Sequence, residues 1–88
     1  MEQTKQWKIK LFIDEHDGQT RASARLRTGD TELTGKGVAI RNPHDSDIPE
    51  IGDELAVARA LSDLSHKLLD ATVGDIEAIT HRAATVAP

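Results

Sequence analysis

The longest regular pattern in the chain runs from Ile51 to Ala71, where Ile51, Leu55, Ala58, Leu61, Leu64, Leu68 and Ala71 recur at spacings of three and four. That rhythm predicts an amphipathic helix with one dry face, and Arg59, Asp63, His66, Lys67 and Asp70 fall largely on the other side. Upstream the period changes to two. Trp7, Ile9, Leu11 and Ile13 alternate with Lys8, Lys10, Phe12 and Asp14, a half-buried strand in which Phe12 is the one misfit. The run Asp14-Glu15-His16-Asp17-Gly18 stops it, with Gly18 able to take the positive φ of a tight turn. Ala22, Ala24 and Leu26 then alternate with Arg21, Ser23, Arg25 and Arg27, a strand that is small inside and cationic outside. Past the turn signal Thr28-Gly29-Asp30-Thr31, Glu32 to Arg41 reads as a third strand, which completes an antiparallel meander.

Gly35 and Gly37 lie inside that third strand, where glycine weakens pairing and marks a bulge or a close backbone approach. A helix lying tightly across the sheet accounts for both glycines and for the small Ala22 and Ala24, and is preferred to a ligand loop. Asn42 to Pro49 is a polar connector with two prolines. Pro49 suits the first turn of a helix, Asp47 is a candidate cap, and Glu50, Asp53 and Glu54 favour the positive end of the helix dipole. Gly74 reads as a helix terminus, after which Asp75 introduces a short element, Ile76 to His81, equally consistent with a helix or a strand.

The expected fold is α+β: a three-stranded antiparallel sheet of about residues 6–15, 20–28 and 32–41, one long helix at about 50–72 across one face, and a short C-terminal element. Residues 1–88 read as a single domain whose ends, about 1–5 and 82–88, are flexible or docked on a partner subunit.

Composition sharpens this picture. With 38% hydrophobic residues and only Trp7 and Phe12 as aromatics, the core must be built from Leu, Ile, Val and Ala. A chain of 88 residues without cysteine has no disulfide or thiolate zinc site to staple it, and buries only about 60–65% of its unfolded surface. A homodimer sharing the C-terminal segment is therefore expected. The N-terminus lacks the apolar core of a signal peptide and no run approaches a membrane span, so a cytoplasmic location away from membranes is expected. The net charge of −4 argues against a general nucleic-acid binder, but the average conceals a split. Residues 1–41 carry eight basic and six acidic residues (+2), whereas residues 42–88 carry three and nine (−6).

Candidate chemistry is sparse. His44, Asp45 and Asp47 share one loop without the spacing of a tight metal site, and Asp14, Glu15, His16 and Asp17 are what a turn ordinarily contains. Asp63 and His66 stand three apart on the helix and can hydrogen-bond, but no nucleophile accompanies them, and the sequence holds no nucleophile elbow, phosphate loop or dinucleotide fingerprint. No catalytic residue, metal, cofactor or small-molecule substrate is expected. If the apolar sides of the first two strands face the helix, Lys8, Lys10, Arg21, Arg25 and Arg27 point away together, with Lys36 beside them. Such a face is either a solvated surface whose cations protect the sheet edges or an electropositive plate for a phosphate backbone or an acidic partner. Phe12 is the one ring placed to lie there, too few for a base-stacking platform.

The stretches IPEIGDELAVARALSDL and DIEAITH, with IDEHDGQTRASARLR, ELTGKGVA and RNP upstream, closely resemble a family of small actinobacterial proteins of unknown function that includes a member linked to hypoxia and dormancy. The likeness spans about Trp7 to His81. It implies a compact domain of the double-stranded-RNA-binding-domain-like class, found as a dimer and comparable in shape to ribosome hibernation-promoting factors. Two functions follow as expectations: a non-enzymatic stress or dormancy regulator that docks on the ribosome or other RNA through Lys8, Lys10, Arg21, Arg25, Arg27 and Lys36, or a homodimeric protein–protein interaction module with no nucleic-acid binding.

Overall fold

Two turns of two residues each fix the sheet. The computed structural model describes residues 2–41, 48–81 and 83–86. Within them the order is β1 (Ile9–His16), β2 (Gln19–Thr28), β3 (Thr31–Ile40) and α1 (Pro49–Thr80). His16 and Gln19 flank Asp17-Gly18, whose φ angles of 50° and 74° make a type I′ turn. Thr28 and Thr31 flank Gly29-Asp30, where Gly29 has φ 57°. In such hairpins the flanking pair exchanges hydrogen bonds, so the even-numbered residues of β1 bond to β2 and the odd-numbered ones turn their N–H and C=O to the open edge. In β3 the parity is reversed: its even-numbered residues face outward.

The meander and the helix across it are as the sequence predicts, with two corrections at the ends of elements. β1 begins at Ile9 rather than near residue 6, leaving Trp7 ahead of the strand and 61% exposed. The helix does not stop near residue 72. It runs through Gly74 to Thr80, and His81 ends it in the left-handed conformation (φ 56°), its N–H donating to the Glu77 carbonyl. An interior glycine costs about 1 kcal/mol against alanine, too little to break a helix of this length. The separate short C-terminal element is therefore the last part of α1. At the other end Pro49 occupies the first turn as expected and the N-cap is Ile48; the candidate cap Asp47 lies outside the described residues, as do His44 and Asp45.

Helix and sheet meet through small residues. A Cβ on Gly35 would run into the backbone carbonyl of Ala60, one on Gly37 into that of Ala56, and one on Gly52 into the Thr20 hydroxyl. The sheet side of the core is Ala22, Ala24, Leu26 and Ala39, and the helix side is Ala56, Ala60 and Leu64. The expected stripe is thus displaced by about one residue. Ile51, Leu55 and Leu61 stay 58%, 42% and 38% exposed, and Ala58 is exposed too, because only the smaller line Gly52–Ala56–Ala60–Leu64 lets the two backbones approach this closely. No described helix is long and apolar enough to cross a membrane.

Candidate functional site

The two faces of the sheet carry different residues, and the register settles which. On the face turned away from α1, Lys10 stands opposite Arg25, Phe12 opposite Ser23 and Ser23 opposite Lys36, and Asp14 opposite Arg21. Lys8 shares a shallow depression with Lys10, Arg25 and Arg27, while Arg21 and Lys36 border a second one beside Phe12. The predicted cations Lys8, Lys10, Arg21, Arg25, Arg27 and Lys36 therefore share one face. They do not make an unbroken patch. Glu32 pairs with Arg25 at 3.5 Å and with Arg27 at 3.2 Å, and Asp14 lies beside Arg21 in the register. Phe12, the misfit of the alternation, lies under the Arg25 guanidinium, 5.2 Å from its ring centroid.

The inner face is covered unequally. α1 lies over β3 and β2 and barely reaches β1. Ile9, Leu11 and Ile13 stand opposite Leu26, Ala24 and Ala22 and so point to the helix side, yet remain 45%, 45% and 46% exposed. A groove bordered by Ile9, Leu61, Ser65, Leu68 and Thr72 runs along the helix flank there. Sequence reasoning placed these β1 residues on the apolar side of a half-buried strand, and alternation reports which face a residue takes but not whether a helix reaches it.

The two edges of the sheet differ as well. Along β3, Arg59 Nη1 donates to the Val38 carbonyl at 2.7 Å, the Lys36 N–H donates to Asp63 Oδ2 at 2.8 Å, and Lys67 Nζ donates to the Thr34 carbonyl at 2.6 Å. Four residues of helix advance about 6.0 Å and two of strand about 6.6 Å, so side chains at i, i+4 and i+8 match alternate strand residues. This ladder was read in the sequence as no more than the wet side of the helix. Its signal was a cation, an anion and a cation spaced by four.

The other candidates do not gather into a site. The Asp63 carboxylate is committed to Lys36 and to Lys67, 3.2 Å away, and is held below the usual carboxylate range chiefly by the Lys36 N–H and then by Lys67. His66 Nδ1 lies 2.8 Å from the Ser62 carbonyl, so the Asp63–His66 hydrogen bond that the spacing allows gives way to these other partners. His16 and Asp17 approach to 3.2 Å with both side chains 88% exposed at the turn. Among the described residues no group of three or more His, Asp or Glu is placed to hold a metal ion.

A meander of three strands with one long helix, its distinctive residues spread over faces and edges rather than gathered in a cleft, defines a small class of α+β proteins. The chain belongs to the Rv2632c-like family, whose model matches residues 5–85. It is 56% identical over 78 residues to the uncharacterized protein Mb1767 of Mycobacterium bovis, covering 89% of this chain and 83% of that one. It is also 49% identical over 77 residues to the uncharacterized protein Rv2632c of Mycobacterium tuberculosis, covering 88% and 83%. The crystal structure of Rv2632c superimposes with a TM-score of 0.85 at 47% identity, over 92% of this chain and 96% of that one.

Proposed function

We propose that this protein is a non-enzymatic interaction module that acts as a homodimer, with the uncovered side of β1 as its contact surface. The observation that carries the reading is the near-half exposure of Ile9, Leu11 and Ile13 beside an exposed Leu61, on a core made mostly of alanine. A standard interface buries about 800 Å² per partner around an apolar centre, and these side chains supply such a centre. Sedimentation velocity at micromolar concentration tests it. The expected result is a dimer for the native chain and a monomer for Leu11→Glu; a native monomer overturns the reading.

A second reading, a small stress or dormancy regulator that associates with the ribosome or other RNA, is favoured by one observation. Lys10 and Arg25 stand directly opposite each other, an unfavourable like-charge pair that an anionic partner would relieve. Co-sedimentation with ribosomes across a salt series, beside a variant carrying Arg21→Glu, Arg25→Glu and Arg27→Glu, tests this. Binding that falls steeply with salt and is absent from the variant supports an RNA-docking face; no binding at low salt overturns it.

A further inference from the structure

We propose that the end of the sheet beside the start of α1 holds a binding site for a small uncharged molecule with an acceptor oxygen on an apolar body. A cavity of about 340 Å³ lies there, where the turn between β1 and β2 and the end of β3 meet the first turns of the helix. Its size is that of the smaller ligand sites of proteins, which are mostly apolar with a few placed polar groups. Ala39, Ile48, Ile51 and Leu55 wall it. Ile48, Ile51 and Leu55 are exposed, and the cavity gathers their apolar surface around one hollow. The site is independent of how two copies of the chain meet.

The hydroxyl of Thr20 is what points to a ligand. Even-numbered residues of β2 face the helix, and where Ala22, Ala24 and Leu26 pack there, Thr20 contributes a hydroxyl on a residue only 5% exposed. That hydroxyl makes no hydrogen bond to any described residue. Among the described residues every fully enclosed side-chain oxygen and nitrogen has a partner, so the unpartnered Thr20 oxygen is one that the cavity reaches. Gly52 borders the cavity too and leaves that oxygen clear, since a Cβ there would stand 2.8 Å from Thr20 Oγ1. Valine has the same shape and would be buried without the cost of an unmade hydrogen bond, so packing alone does not call for threonine at this position.

The rim sets the charge of the ligand. Glu15, opposite Thr20 in the register, and Arg41 both border the cavity and are exposed. One carboxylate and one guanidinium cancel at the mouth, and the apolar walls desolvate an ion without offering it a buried counter-charge, so neither an acid nor an amine is favoured. The first turn of α1 brings the positive end of its dipole to the same place, with no side-chain cap at Ile48. Together with the Thr20 hydroxyl this favours an acceptor oxygen. A ketone, ester or amide group on an aliphatic or aromatic body meets these terms.

Acetophenone, ethylbenzene and benzoate carry the same ring and differ in the polar group, and their titration followed by backbone-amide NMR shifts reads both position and affinity. Acetophenone is expected to shift the amides of Thr20, Ala39, Ile51 and Gly52 and to bind roughly three- to tenfold more tightly than either of the others. Thr20→Val should remove that advantage while leaving ethylbenzene unaffected, and Thr20→Ser should keep it. The urea midpoint of Thr20→Val should be no lower than that of the native chain, because the hydroxyl is there for a ligand and not for the fold. Acetophenone that leaves these amides in place, ethylbenzene or benzoate that binds as tightly, a preference that survives in Thr20→Val, or a lowered midpoint for that variant overturns the proposal.

Discussion

The Asp63 carboxylate accepts the backbone N–H of Lys36 across the outer edge of β3, at 2.8 Å. It draws a further hydrogen bond from Lys67, and both hold its pKa below the ordinary carboxylate value of 3.8. A group whose pKa is depressed on folding contributes stability that is present above its unfolded pKa and is lost as pH falls through the folded one. Below about pH 4 the native chain is therefore expected to lose stability faster than Asp63→Asn. Urea unfolding across that range checks this, and parallel pH profiles for the two proteins would refute it.

The glycines of β3 make a sharper case. With the carbonyls of Ala60 and Ala56 in the way of any Cβ, Gly35→Ala or Gly37→Ala must lift the helix off the sheet. Each is expected to lower stability by about 2–4 kcal/mol, seen as a lower urea midpoint. An unchanged midpoint for either variant would mean that the helix sits further from the sheet in solution.

Gly74 is the counter-case. It stands inside α1 with nothing within reach of an added Cβ. Gly74→Ala should raise stability by up to about 1 kcal/mol, measured in the same titration, and should raise helix content by circular dichroism. A loss of stability would show that the helix does break there.

Leu64 is the one large side chain of the helix that is fully buried, 2% exposed, in a core otherwise dominated by alanine. Leu64→Ala should cost about 2.5–5 kcal/mol, a large fraction of the stability of so small a domain. Leu61→Ala, at a position 38% exposed, should cost much less in a dilute monomer. Thermal unfolding of both variants separates them.

Much of this architecture was legible in the sequence. Period-two alternation located β1 and β2, the turn signal at Thr28-Gly29-Asp30-Thr31 set off β3, and Gly35 and Gly37 announced the close approach of the helix. Pro49 marked the helix start. What hydrophobicity misled on was the helix itself: Ile51, Leu55 and Leu61 drew the stripe, whereas the contact line consists of residues chosen for smallness, Gly52, Ala56 and Ala60. Gly74 was read as a stop because a glycine near a candidate end resembles a cap, and His81 gave no such signal. Of the candidate site, the common face of Lys10, Arg21, Arg25, Arg27 and Lys36 followed from the alternation. The salt bridges of Glu32 and the bare flank of β1 did not, since both depend on register and on where the helix crosses.

The two short turns also bear on how the chain reaches this structure. Each strand pairs only with its neighbour in sequence, through a connection of two residues, so the sheet requires only local loop closures of the kind that hairpins complete in about 1–10 μs. The single distant step is the return of α1, which brings residues near 56 and 60 back onto Gly37 and Gly35. Because that return builds the whole interface between helix and sheet, the topology belongs with mixed α/β domains of intermediate contact order, and the docking of α1 is the step that loop closure slows.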